Sequence, residues 1–278
     1  MWPELKINFM EGGYFMFIPT GLVPTAEQCY EFFKKLDLPH SLPLPSFKLR
    51  PRAFGDELLE EAITIGKDTP LVLAFADKLS YENRQAAKNS TQLAEKFADG
   101  KADRNTQSGL WHSHYSKAMW HCGWFMANND VGVLKKRDKT VTMDTVVMEI
   151  IATVAGANAA AFLPLMGKVL ETIKTDAKVV TLFEQQSRTG ANNSVRLMPC
   201  IETANGEVIS VFTGFEHEYN ENKGGALWWK WDLSSIDIKK VATMVNFNFD
   251  HYKRQESNIL TALGASSDSF FSDLDLGK

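Results

Sequence analysis

Cysteine is scarce and scattered in this chain. Cys29, Cys122 and Cys200 are the three it has. An odd number at wide spacing excludes a disulfide framework, and no Cys-x-x-Cys is present. Charge of one sign is also lacking: the net charge is −4 and the pI about 5.9. No basic face is on offer to neutralise phosphates, which argues against nucleic-acid binding. Nor is there a global attraction to anionic lipid. Gly12-Gly13 and Gly224-Gly225 fit neither GxGxxG nor a Walker A loop, so nucleotide binding has no support. The chain has no GxSxG elbow, no Ser-x-x-Lys and no HExxH. With no enzyme signature, the expectation is a protein that is not an enzyme. Internal repeats are absent, and the uninterrupted apolar runs fall short of the ~20 residues that a membrane-spanning helix requires. The opening MWPELKINFMEGG has neither a basic n-region nor a long apolar h-region, which predicts no secretory signal.

What is present is ordinary for a globular protein: 278 residues, 44% hydrophobic and 23% charged. One domain over 1–278 is expected. The aromatic share is 11%, with seven Trp, a residue used both in cores and at interfaces with one wet edge.

The predicted architecture is α+β. A helical body over about 56–175 packs on a late antiparallel sheet over about 195–252, preceded by an irregular Pro-rich arm over 1–55. Within that arm, GYFMFIPTGLVP reads as a short strand. Thr25, with Gln28 at the capping-box position, starts a helix whose apolar face holds Cys29, Phe32, Phe33 and Leu36. Asp56 predicts a helix start, and PLVLAFADKLSYENRQAAKNSTQLAEKFADG a long amphipathic helix. LWHSHYSKAMWHCGWFM follows as an aromatic helix, then LKKRDK as a basic loop. The stretch 141–175 is the most apolar; Gly156-Ala157-Asn158 and Pro164 predict a break between two shorter helices.

The late block reads as four strands: VRLMPCIETA, EVISVFTGFEHEY, ALWWKWDLS and IKKVATMVNFNFDHY. Asn205-Gly206 predicts a two-residue type I′ turn, because that turn requires positive φ at both centres. Ala204 then opposes Glu207, and Cys200 falls near Val211. The next turn is expected at 222–225, and the tail after Leu263 reads as loosely held.

Candidate chemistry is thin. His112, His114, His121 and Cys122 tempt a metal reading, but His114 and His121 lie two turns apart, about 10 Å by helical rise. That span exceeds what one zinc tolerates, so no metal site is expected. Cys200 follows Pro199, which implies an edge strand or a bulge. Its thiol reads either as a small buried hydrophobe or as a functional group. Glu216 and Glu218 share a strand face, the pattern of acid/base work, of a cation site or of a solvated face. Trp229 and Trp231 share the core face with Leu227, which leaves Trp228 as a candidate contact residue.

Taken together, the helical body, the MPCIET strand and FEHEYNENKGGALWWKWD resemble the Erwinia virulence factor family, bacterial proteins that promote persistence in the insect gut. The resemblance spans most of the chain. It implies a covalent palmitate held in a hydrophobic cavity, carried over here to Cys200. It also implies a non-enzymatic virulence factor, made in the bacterial cytoplasm and acting outside the cell on the host gut epithelial membrane or a receptor there. A C16 chain would contribute strongly to a core or a membrane contact, at about 0.8 kcal/mol per buried CH₂. One chain alone gives marginal membrane binding, and Lys135-Lys136-Arg137 is a candidate second contact. The alternatives are an insecticidal pore former that inserts helices 141–175, an enzyme with a Cys/His site of unrecognised type, and an intracellular binding module.

Overall fold

The computed structural model describes residues 23–36, 38, 63–66, 71–104, 106–136, 142–175, 192–218, 236–264 and 271–273. The fold is α+β, built as three layers. A seven-stranded mixed sheet lies in the middle and helices cover both faces.

The first helix, α1 (Ala26–Lys34), has the expected capping box: Thr25 accepts from the Gln28 amide while the Gln28 side chain accepts from the Thr25 amide. Two short strands follow, β1 (Ile63–Gly66) and β2 (Leu71–Phe75). Both lie where the sequence predicts helix. LVLAF carries no polar face because β2 is buried on both sides. Leu71, Leu73 and Phe75 enter one core and Val72 and Ala74 the other. An apolar run of that kind has no period to separate strand from helix.

The helix α2 (Tyr81–Asp99) starts at its own cap, Ser80, whose hydroxyl accepts from the Asn83 amide. Next come α3 (Ser108–His121) and β3 (Trp124–Lys136). The predicted aromatic helix therefore stops at His121, and WFM begins a strand. The basic loop is corrected as well, since Lys135 and Lys136 pair with Asp237 and Ile236 at the end of β3.

The apolar stretch forms α4 (Met143–Ala155) and α5 (Ala159–Thr175), joined by a 3₁₀ turn over Gly156–Asn158. The predicted break falls at that turn, and Pro164 sits inside α5. The chain then enters β4 (Asn192–Glu202), β5 (Val208–Glu218) and β6 (Ile236–Phe247). It continues through α6 (Phe249–Leu263) to β7 (Phe271–Asp273).

Strand order is β3-β6-β5-β4-β2-β1-β7, antiparallel except for the β2–β4 pair. Four expectations change. First, β5 pairs directly with β6, with the predicted third strand, ALWWKWDLS, left untested. That segment, the predicted turn at 222–225 and the early strand and arm lie outside the described residues. Second, NFNFDHY is not strand throughout: Asn248 caps α6 by accepting from the His251 amide at 2.8 Å. Aromatic residues with alternating Asn imitate a strand, but the cap decides. Third, Phe271–Asp273 of the tail pairs with β1. Fourth, the hairpin turn is not type I′. Gly206 alone has positive φ, and its amide donates to the Thr203 carbonyl at 3.0 Å. This three-residue loop moves the register by one, so Cys200 opposes Ser210 rather than Val211.

Pro199 also departs from expectation. It lies in β4, an interior strand between β2 and β5. The β4–β5 pairing is interrupted at Met198 and Pro199, which is where a missing N–H costs least. Ser210 Oγ donates to the Pro199 carbonyl at 2.7 Å and keeps that oxygen satisfied.

Gly123 joins α3 to β3 with φ of +100°, and its carbonyl accepts from the Asn248 amide at 2.8 Å. A Cβ there would stand 2.8 Å from the Asn248 oxygen. Strain and clash act together, so Gly123→Ala is expected to lower unfolding free energy by about 2 kcal/mol or more, read from the denaturant midpoint. An unchanged midpoint would show that this junction yields freely.

Candidate functional site

The position the sequence singles out, Cys200, sits near the C-terminal end of β4 beside Phe75 of β2. It is fully buried, in the apolar layer that also holds Met198 and Phe212. Its sulfur is 3.7 Å from the Met198 carbonyl oxygen. Burial pushes the thiol up to about 12, and the Ser210 side chain opposes only part of that rise. At neutral pH the thiol is therefore protonated and acts as a small hydrophobe. A palmitoyl chain on this sulfur requires the surrounding layer to open.

The histidines of α3 point to three different surroundings. His112 faces the sheet: a Cβ on Gly214 would meet its ring carbon at 2.9 Å. His114 packs edge-on against Phe97, with ring centroids 5.8 Å apart. His121 turns to α1 and stacks on Phe32 at 4.1 Å. Among the described residues no three His, Cys, Asp or Glu side chains form a metal-holding group. The Glu216, His217 and Glu218 backbones lie in β5, while Trp228, Trp229 and Trp231 lie outside the described residues.

Two arrangements were not read from the sequence. One surrounds Cys29, whose sulfur is 3.9 Å from His121 Nδ1 and 3.8 Å from His251 Nε2. The partners are 92 and 222 residues away in sequence, so no local pattern announces them. All three side chains are buried. Burial pushes the Cys29 thiol up to about 11 and holds His121 down at about 3. A thiol kept protonated beside a neutral imidazole is not an activated nucleophile.

The other is a buried charge network beneath α2. Glu95 and Arg196 form a buried ion pair: Nη2 donates to Oε2 at 2.9 Å, and Nε lies 2.8 Å from Oε1 without hydrogen-bond geometry. Arg104 reaches the same carboxylate at 3.3 Å and also pairs with Asp99, whose Oδ1 accepts from Trp111 Nε1 at 2.8 Å. Arg196 lies over the Trp111 ring at 4.5 Å, and Trp111 stacks on Tyr115. Burial pushes the Glu95 carboxyl up, and the two guanidiniums oppose it. Two carboxylates and two guanidiniums balance, so the network ties α2 and α3 to β4 without net charge.

The opposite face of the sheet is covered differently. The α4 and α5 helices form an antiparallel hairpin whose feet are joined by the Asp144–Lys174 ion pair. Ile151, Phe162, Met166 and Val169 face the sheet residues Val72, Leu197, Ile209 and Val211. No charged residue occurs between Glu149 and Lys168. The exposed surface of that stretch includes Ala152, Ala157, Ala160, Ala161 and Pro164. The segment Asp144–Thr175 is long and apolar enough to cross a membrane, and only 33% of its most apolar window is buried.

No family model matches this sequence, and no curated protein does. Several solved structures are similar to it. The structure of the Evf virulence factor aligns at 11% identity and a TM-score of 0.35, covering 81% of this chain and 88% of that one. A delta-endotoxin aligns at 14% identity and a TM-score of 0.37, covering 74% of this chain and 91% of the other. At these scores the likeness carries no argument for what this chain does.

The packing around Cys200 gives a direct expectation. Intact mass of the purified protein should match the unmodified sequence before and after hydroxylamine. A hydroxylamine-labile mass equal to one palmitoyl group, absent from Cys200→Ser, would contradict the packed thiol.

Proposed function

We propose that this protein is a non-enzymatic, toxin-like protein that acts on membranes, with the α4–α5 hairpin as the part that enters the bilayer. The observation that carries this reading is the hairpin's mismatch with its place. A helix as apolar as this one belongs in a core, yet only 33% of its most apolar window is buried, and Ala152, Ala157, Ala160 and Ala161 are exposed. A surface of Ala, Gly, Thr and Pro costs little in water and little in hydrocarbon, so the segment tolerates either side of the transfer.

The geometry suits entry by the tip. The Gly156–Asn158 turn is exposed and residues 150–167 around it carry no charge, while Glu149 and Lys168 lie mid-helix and Asp144, Glu171 and Lys174 lie toward the feet. Helices of 13 and 17 residues reach about 20 and 25 Å at 1.5 Å per residue, against a hydrocarbon core of about 30 Å. The paired hairpin thus reaches most of the way across. Opened into one helix, its 32 residues exceed the thickness. Pore formation is one outcome of such entry and membrane disruption another. This mode of attachment needs no palmitate at Cys200.

Two similar structures are named for a virulence factor and a delta-endotoxin, and this reading places the chain in the same broad toxin-like class. The finer proposal, release from a bacterial producer and action at the insect gut epithelium, draws on the resemblance carried by MPCIET and FEHEYNENKGGALWWKWD.

Dye release from liposomes tests the reading. The wild-type protein is expected to release dye. Ala160→Lys and Ala161→Glu are exposed changes expected to leave Tm within a degree or two. Each charge adds about 3 kcal/mol to bilayer entry, which predicts roughly a hundred-fold loss of release. Equal release by wild type and both variants, or none from wild type at high protein concentration, would overturn the reading.

A further inference from the structure

We propose that the Cys29–His121–His251 contact is an acid-released latch that holds α1 against the junction of α3 and α6. The argument begins with hydrogen-bond roles. His251 Nε2 lies 3.0 Å from the His121 carbonyl oxygen. A carbonyl only accepts, so Nε2 carries the hydrogen and faces Cys29 as a donor. The Cys29 sulfur lies 3.9 Å from His121 Nδ1. Protonating that ring places a cation in a buried site whose other polar contact to Cys29 is the His251 donor.

Among the described residues no carboxylate acts on either ring. From α1 the group is faced by Cys29 and by the Phe32 ring stacked on His121. Glu31 of α1 is paired with Lys35 instead. From α3 it is faced by Lys117, and Cys122 follows it in the chain. From α6 it is faced by His251 itself, with Arg254 beyond. From β3 comes the Phe125 ring, 6.0 Å from His251. From α2 come Phe97 against Phe32, and Asn89, which donates to Tyr252. The described charges are cations, so protonation meets repulsion as well as desolvation. The helix dipoles act in opposite senses: His251 is within the first turn of α6, where a cation is disfavoured, and His121 ends α3, where a cation is favoured but burial outweighs it.

The sign follows. Both imidazoles are held below the ordinary histidine value of 6.5 in the folded chain, chiefly by burial. Once α1 lifts, they regain that value. The latch is therefore intact above pH 6.5 and weakens as pH falls toward about 3, the folded value of His121. The contact and its chemistry are independent of whether the α4–α5 hairpin enters membranes.

Pulsed hydrogen exchange after a pH jump, quenched and read by mass spectrometry, tests this on the full chain. The α1 peptide is expected to lose protection below about pH 5 while β2 and β4 keep theirs. His121→Gln, which cannot take a proton, is expected to move the α1 midpoint down by about one pH unit. Loss of α1 and the sheet together, or an unmoved midpoint in the folded variant, would overturn the proposal. If His121→Gln fails to fold at pH 7.5, imidazole NMR of the wild-type protein decides. Protonation of His121 at the pH where α1 opens supports the latch, and a neutral His121 while α1 is already open refutes it.

Discussion

The fold rests on a sheet that must be covered on both faces. β2 has no polar side: all five residues of LVLAF are buried, alternating between two separate cores. Strands β4, β5 and β6 divide their apolar residues in the same way. Such a sheet is stable only between two layers, because either face left bare exposes a continuous apolar surface. The two covers meet this requirement by different physics. On one side α2 and α3 are joined to β4 by the Glu95–Arg196 pair, its Arg104–Asp99 extension and the Trp111–Tyr115–Phe212 stack. On the other, the α4–α5 hairpin joins the core through apolar contacts.

This asymmetry has a consequence for what each layer can do. Lifting α2 from the sheet separates Glu95 from Arg196 and breaks the charged network that fixes α2 and α3 on β4. Apolar contacts are non-directional, and hydrocarbon satisfies a helix surface as well as a sheet does. The hairpin is thus the layer whose departure a bilayer compensates, while α2 and α3 stay bound to the sheet. The aromatic cover carries a different sensitivity, in the neutral imidazoles that fasten α1 to it.

Sequence reading succeeded where the signal was local and failed where it was not. The Thr25–Gln28 capping box located α1, and the apolar character of 141–175 with Gly156 located the hairpin and its turn. Asn205-Gly206 marked the right corner, but only Gly206 takes positive φ, and that single difference shifted Cys200 from Val211 to Ser210. β2 resembled helix because burial on both faces removes the alternation that identifies a strand. β3 was hidden behind an aromatic helix whose stop is the single Gly123, with positive φ just past Cys122, inside an otherwise continuous aromatic run. The Cys29 contact and the Glu95–Arg196 pair join residues 92 to 222 and 101 positions apart, beyond the reach of any spacing rule. Cys200 drew notice as the thiol of MPCIET, whereas the thiol that meets histidines is Cys29.

The central claim is that the hairpin leaves water for lipid while its layer opposite stays in place. An environment-sensitive NBD label on Ala157→Cys, at the exposed turn, reads this directly, because the three native thiols are buried. Added vesicles should shift its emission to the blue and protect it from an aqueous quencher, while the same label on Leu260→Cys of α6 should stay in water. A label at Ala157→Cys that remains fully quenchable on membrane-bound protein would contradict the account.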